Sequence, residues 1–119
     1  MKKPILCLDF DGVCHSYTSG WQGADNIPDA MVPGCYEFIE EAVKHFEVNI
    51  FSSRSNQFGG IVAMQNFFYF NIEESIVDQL VFPTVKPPAM IGLDDRVLLF
   101  TGKWPDMQTL INFKPWNKE

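Results

Sequence analysis

The chain has few cysteines, no basic cluster and no long apolar run, and each absence removes a class of function. Cys7, Cys14 and Cys35 are odd in number and show no Cys-x-x-Cys spacing, so they read as reduced thiols and not as a disulfide framework. Lys and Arg are scattered, and the formal net charge is -6. A general nucleic-acid or membrane-surface binder is therefore not expected, although a few local cations suffice to hold one phosphate. No apolar segment is long enough to span a membrane, and the opening Met-Lys-Lys-Pro lacks the apolar stretch of a signal peptide. A cytoplasmic location is the expectation. Repeats, low-complexity tracts and linkers are absent too, so the 119 residues read as one domain, residues 1–119, with enough apolar content for a real core.

What is present alternates between strand and helix. Ile5-Leu6-Cys7-Leu8 is a continuous apolar run of the kind a buried strand shows. Residues 13–33 are rich in turn residues and have no sustained period; so long an irregular segment in a small domain is usually functional. A helix begins near Pro33-Gly34, with Ile39, Ala42, Val43 and Phe46 on one face. "EVNIFSS" is a second strand and ends in Ser52-Ser53-Arg54. After Gly59-Gly60 a second helix runs over residues 61–70. Short strands are expected at residues 80–82, at Met90-Ile91-Gly92-Leu93 and at residues 97–100, with a closing helix over residues 105–112. The pattern predicts an α/β fold with a doubly wound, mainly parallel sheet. The connection at residues 94–96 is too short for a parallel crossover, so the 97–100 strand should run antiparallel or lie aside.

Chemistry collects where these strands end. Three apolar runs finish in Asp9, Ser52 and Asp94, and in open parallel sheets the ligand crevice lies at the carboxyl ends of the strands. Four carboxylates, Asp9, Asp11, Asp94 and Asp95, would meet there. At an effective dielectric near 20 each like-charge pair at 4 Å costs on the order of 4 kcal/mol. Such a site needs a divalent cation and a fixed positive side chain. All-oxygen ligands suit Mg²⁺, and Lys86 can supply the second charge.

These residues, in this order, resemble the haloacid dehalogenase-like superfamily. Its first motif, Asp-x-Asp-Gly followed by Val or Thr, appears as Asp9-Phe10-Asp11-Gly12-Val13. Its second, a Ser or Thr closing a strand, matches Ser52. Its third, a lysine, is Lys86, and its acidic pair is Asp94-Asp95. The resemblance spans residues 5–96 and implies a Rossmann-type sheet with helices on both faces. It also implies a Mg²⁺-dependent phosphatase acting on a phosphate monoester. In that scheme Asp9 is the nucleophile that forms an aspartyl-phosphate, and Asp11 is the acid and base. Ser52, Lys86, Gly12, Ser53 and Arg54 surround the phosphate. The metal is held by the Asp9 carboxylate, the Asp11 backbone carbonyl and the pair Asp94 and Asp95, with Asp95 preferred as the direct ligand. The substrate would be a nucleotide, another phosphometabolite or a phosphorylated macromolecular end.

Two features depart from the family. Pro87-Pro88 impose an extended backbone after Lys86, where many relatives open a helix. Neither interval between motifs has room for a cap domain, so water exclusion would fall to the 13–33 loop, a neighbouring subunit in a homo-oligomer, or a large substrate. A phospholigand- or partner-binding domain without activity is the alternative.

The same residues admit other readings. An EF-hand loop fails because Cys14 and Gly20 stand where glycine and glutamate are required. A response-regulator receiver is the lesser reading, because its middle strand would end in Ser52 and not in an acceptor aspartate. Gly59-Gly60 lacks the Gly-Lys-Ser/Thr of a phosphate loop. Cys14 and His15 read as ordinary loop residues. Tyr17 and Trp21 either form a substrate flap or pack the loop down, and Arg54 either reaches the phosphate or is solvated. Phe67-Phe68-Tyr69-Phe70 read as core on all sides, with a subunit interface second. Phe113 and Trp116 are expected to pin the C-terminal segment to the core.

Overall fold

A computed structural model describes residues 2–117. Strand β1 (Ile5–Leu8) lies at the centre of a three-stranded parallel sheet, between β2 (Glu47–Ile50) and β3 (Ile91–Leu93). The expected strand at residues 80–82 is reduced to one parallel bridge, Val81 to Asn49, on the far side of β2. The chain therefore runs outward from β1 to β2 and Val81, then returns across the sheet to β3. That reversal makes the cleft between β1 and β3 a topological switch point, and Asp9 and Asp94 are the residues that follow those two strands.

Side-chain alternation assigns the faces. Leu6, Leu8, Val48 and Ile50 share one face and are almost fully buried. Helix α1 (Cys35–His45) brings Cys35, Ile39, Ala42 and Val43 into the same cluster. Helix α2 (Gly60–Asn71) contributes Met64 and Phe68, and the short α3 (Glu74–Val77) contributes Ile76 and Val77. Burial of each large side chain here stabilises by roughly 1.5–3 kcal/mol. The helical period read from the sequence thus identifies the buried face of α1.

Helices on both faces were expected, and the structure corrects this. The opposite face, with Cys7 and Phe51 on its floor, borders a cavity of about 580 Å³ whose walls come from residues 86–99 and from no helix. The reason is chain length: the return from Val81 to β3 has no helix in it. The strand expected at residues 97–100 is also missing. Asp94 accepts a hydrogen bond from the Arg96 backbone N–H (2.9 Å), and the chain turns off the sheet there. From residue 96 to residue 114 every side chain is exposed. Helix α4 (Met107–Ile111) forms inside the expected 105–112 interval, capped by Asp106, which accepts from Thr109 N–H at 2.8 Å. It buries nothing. The aromatic run on α2 is one-sided as well: Phe68 is fully buried, whereas Phe70 is 90% exposed.

Gly60 opens α2 directly against the preceding turn. A Cβ at this position would lie 1.9 Å from the Arg54 carbonyl oxygen. Gly→Ala inside a helix ordinarily gains about 1 kcal/mol. Gly60→Ala should instead destabilise the protein, measured as a lower denaturation midpoint in urea with unchanged slope. A gain in stability would show that this contact is absent.

Candidate active site

The turn after β1 is built on Phe10. Its carbonyl accepts backbone hydrogen bonds from Val13, Cys14 and His15, and its ring is fully buried against Phe67 and Phe68 of α2. The residue between the two aspartates therefore anchors the turn in the core. Gly12 follows with φ +83°, and a Cβ there would fall 2.1 Å from Asp95 Oδ2. Its missing side chain is what lets Asp95 approach.

Asp9, Asp94 and Asp95 come together, each offering one carboxylate oxygen, with all three atoms within 4.8 Å of one another. Asp9 continues the ladder, its N–H donating to the Leu93 carbonyl at 3.0 Å. Burial, reinforced by the charge of Asp94, pushes the Asp9 carboxyl up to about 8. Burial also raises Asp95. The Asp95 oxygens are buried with no cationic side chain nearer than Arg96 Nε at 3.8 Å, and the only side-chain donor to them is the Asp9 carboxyl while it holds its proton. Once Asp9 ionises, two carboxylates share this site with no side-chain donor, which is expensive. An all-oxygen donor set around such atoms fits a hard divalent cation such as Mg²⁺. Asp94 is exposed and has one oxygen committed to the Arg96 N–H, so Asp95 has the freer carboxylate of the pair.

Asp11 does not join this cluster. Arg54 grips it with two parallel bonds, Nε to Oδ2 at 2.9 Å and Nη2 to Oδ1 at 3.1 Å. His15 Nδ1 lies 2.9 Å from the same Oδ1. Because His15 Nε2 accepts from the Asp29 backbone N–H at 3.0 Å, the ring proton sits on Nδ1 and is donated to Asp11. Burial alone would raise the Asp11 carboxyl, but the bonds from His15 and Arg54 outweigh it and hold the group below its ordinary value.

The remaining expected residues divide. Lys86 lines the same cavity as Asp9 and Asp94 and is exposed. Ser52 is buried at the end of β2, where its Oγ accepts from Arg54 N–H at 3.1 Å and leaves the hydroxyl proton free to donate. Ser53 is exposed and gives its carbonyl to Gln57. Arg54 neither reaches for the phosphate nor is solvated. It is 0% exposed, and its Nη1 donates to the carbonyls of Gly23, Ala24 and Asn26. Trp21 covers the guanidinium at 4.9 Å. The 13–33 loop is thus clamped onto Asp11, with its two ends paired through Ser16 to Ala30 and Val32 to Cys14. His15 is the residue that sequence reasoning missed, and Arg54, named there for the phosphate, instead holds Asp11. Arg54 and Asp11 are 43 positions apart, and nothing local in either segment announces the pair.

Near the end of the described residues, Trp116 donates Nε1–H to the Gly12 carbonyl at 2.7 Å, and Asn117 donates to Ser16. Trp116 does pin this segment, but to the aspartate turn through a hydrogen bond and not to the core. Phe113 is exposed. The three cysteines are unpaired, and no helix among the described residues is long and apolar enough to cross a membrane. Comparison with protein-family models, with curated proteins and with solved structures finds no match.

Two outcomes follow from this geometry. Because the Asp9 carboxyl titrates near 8, above its ordinary 3.8, the folded chain binds this proton more tightly than the unfolded chain does. The resulting stabilisation is complete below about pH 4 and is lost as pH rises through about 8. In chelator the protein should melt lower at about pH 8 than at about pH 5, and Mg²⁺ should narrow the gap. A melting temperature independent of pH and metal would contradict the cluster. Separately, Arg54→Met should cost about 3–5 kcal/mol by stranding Asp11 and three carbonyls, as read by urea denaturation. A loss under about 1 kcal/mol would refute the clamp.

Proposed function

We propose that the protein is a small, nearly capless Mg²⁺-dependent phosphatase of the haloacid dehalogenase-like kind. It would hydrolyse a phosphate monoester: a nucleotide, another phosphometabolite or a phosphorylated macromolecular end. The observation that carries this reading is the pair Asp9 and Asp95, largely buried carboxyls with no side-chain donor but each other, set together at the β1/β3 switch point. A cation there completes the charge balance, and Lys86 on the rim of the same cavity supplies a point charge for the phosphoryl oxygens. The bridge from Val81 to Asn49 adds to the parallel order β2-β1-β3 and agrees with a Rossmann-type core of this kind.

The chain's own residues would act in sequence. Asp9 attacks phosphorus through a carboxylate oxygen, and the bond from phosphorus to the alcohol oxygen breaks. Asp11, released from Arg54 and His15 and then protonated from solvent, gives that proton to the departing oxygen. It then takes one from a water that attacks phosphorus, freeing Asp9 and inorganic phosphate. Ser52 and Lys86 hold the phosphoryl oxygens throughout. Mg²⁺, held by Asp9, Asp95 and the Asp11 carbonyl, would neutralise the carboxylates and polarise the phosphoryl group.

One observation favours a second reading. Asp11 is held ionised by two partners, as suits a domain that binds a phosphorylated ligand without turning it over. Turnover of an aryl phosphate separates the two readings. The phosphatase reading expects Mg²⁺-dependent release of phosphate, abolished by Asp9→Asn. Asp11→Asn should accumulate phosphate on Asp9, seen by rapid-quench mass spectrometry, with hydrolysis slowed about 10²–10⁴-fold. Phosphate binding without turnover in the unaltered protein would select the binding domain.

A further inference from the structure

The chain leaves one half of its architecture uncovered. Fifteen of the 21 large hydrophobic residues that are exposed fall between Val81 and Trp116. They include Ile91 and Leu93 of the edge strand β3, Val97 and Leu99 beside the open sheet face, and Leu110 and Ile111 of α4. Monomers rarely expose apolar surface on this scale. Among the described residues no strand lies beside the outer edge of β3, and such an edge invites pairing unless it is covered.

Two deficits are complementary. The sheet face over Cys7 and Phe51 has no helix on it. Helix α4 presents Met107, Leu110 and Ile111 at helical spacing i, i+3, i+4, and has nothing to bury them against. Each is what the other lacks. Charge points to the same occupant. Residues 81–117 hold four basic and three acidic side chains, whereas residues 1–80 hold four basic and eleven acidic. Two copies of this acidic chain repel one another everywhere except through the C-terminal third.

We propose that this surface binds a second copy of the same chain about a twofold axis, the α4 of each copy covering the open sheet face of the other. One contact repeated twice closes both deficits, as an isologous interface requires. The cavity filled in this way is the one that Asp9, Lys86 and Asp94 border, so the partner copy shields the acidic cluster from the side where this chain has no cap.

Light scattering after size exclusion, from about 1 to about 100 µM chain, tests this. The expected mass is twice 13.6 kDa. Leu110→Asp with Ile111→Asp, and separately Leu99→Asp, should each weaken the dimer by about 30-fold or more. Their far-UV circular dichroism should not change, because these side chains are already exposed. Phe70→Asp, on α2, should leave the dimer intact. A monomer at every concentration overturns the proposal. So does a larger assembly, a dimer indifferent to both face variants, or one dissociated by Phe70→Asp. Should a face variant lose its fold, hydrogen exchange of the unaltered protein decides. Protection at residues 91–93 and 107–111 that grows with concentration supports the interface, and its absence overturns it.

Discussion

A guanidinium does not lose its proton on burial, so acceptors must be brought to it. Arg54 is wholly buried at the end of β2, and much of the neighbouring architecture follows from meeting that demand. Asp11 supplies two acceptors and is thereby held outside the Asp9, Asp94 and Asp95 cluster. The carbonyls of Gly23, Ala24 and Asn26 supply three more, which is why a 13–33 segment with little regular structure has a defined path. The turn carrying Arg54 presses so closely on α2 that only glycine fits at position 60. An ion pair of this sort is a modest source of net stability and a strong source of geometry.

How much of this was legible depends on range. The strand at Ile5–Leu8, the α1 face of Ile39, Ala42 and Val43, and the polar ends of three strands could be read, because each is written in adjacent residues or a short period. Asp9 with the Asp94-Asp95 pair could be read as one cluster because strand ends in a parallel sheet converge. Failures came where the outcome depends on a partner distant in sequence. Val97–Phe100 has the composition of a strand but finds no ladder to join. Phe70 has the composition of core but lies on the outward side of α2. Arg54 and His15 look like loop residues until Asp11 is placed between them.

The two aspartates of the Asp-x-Asp motif rest on different supports on either side of Phe10. Asp9 stays with the sheet and meets Asp95 across Gly12. Asp11 lies with the loop. The site therefore joins two bodies with different supports: a metal-type cluster resting on β1 and on β3, the least buried strand of the sheet, and an acid/base residue whose position is set by Arg54 and the loop. Along the chain the two are joined by Phe10, which is fixed in the core.

Two of the chain's three tryptophans stand at the edges of this turn. Trp21 lies over the Arg54 guanidinium, and the Trp116 indole N–H is bonded to the Gly12 carbonyl. Their indoles sit in polar environments that differ in kind, one cationic and one carbonyl-bound, while Trp104 is largely in water. The protein thus carries its own optical reporters: emission from Trp21 follows the clamp that holds Asp11, and emission from Trp116 follows the turn that makes room for Asp95.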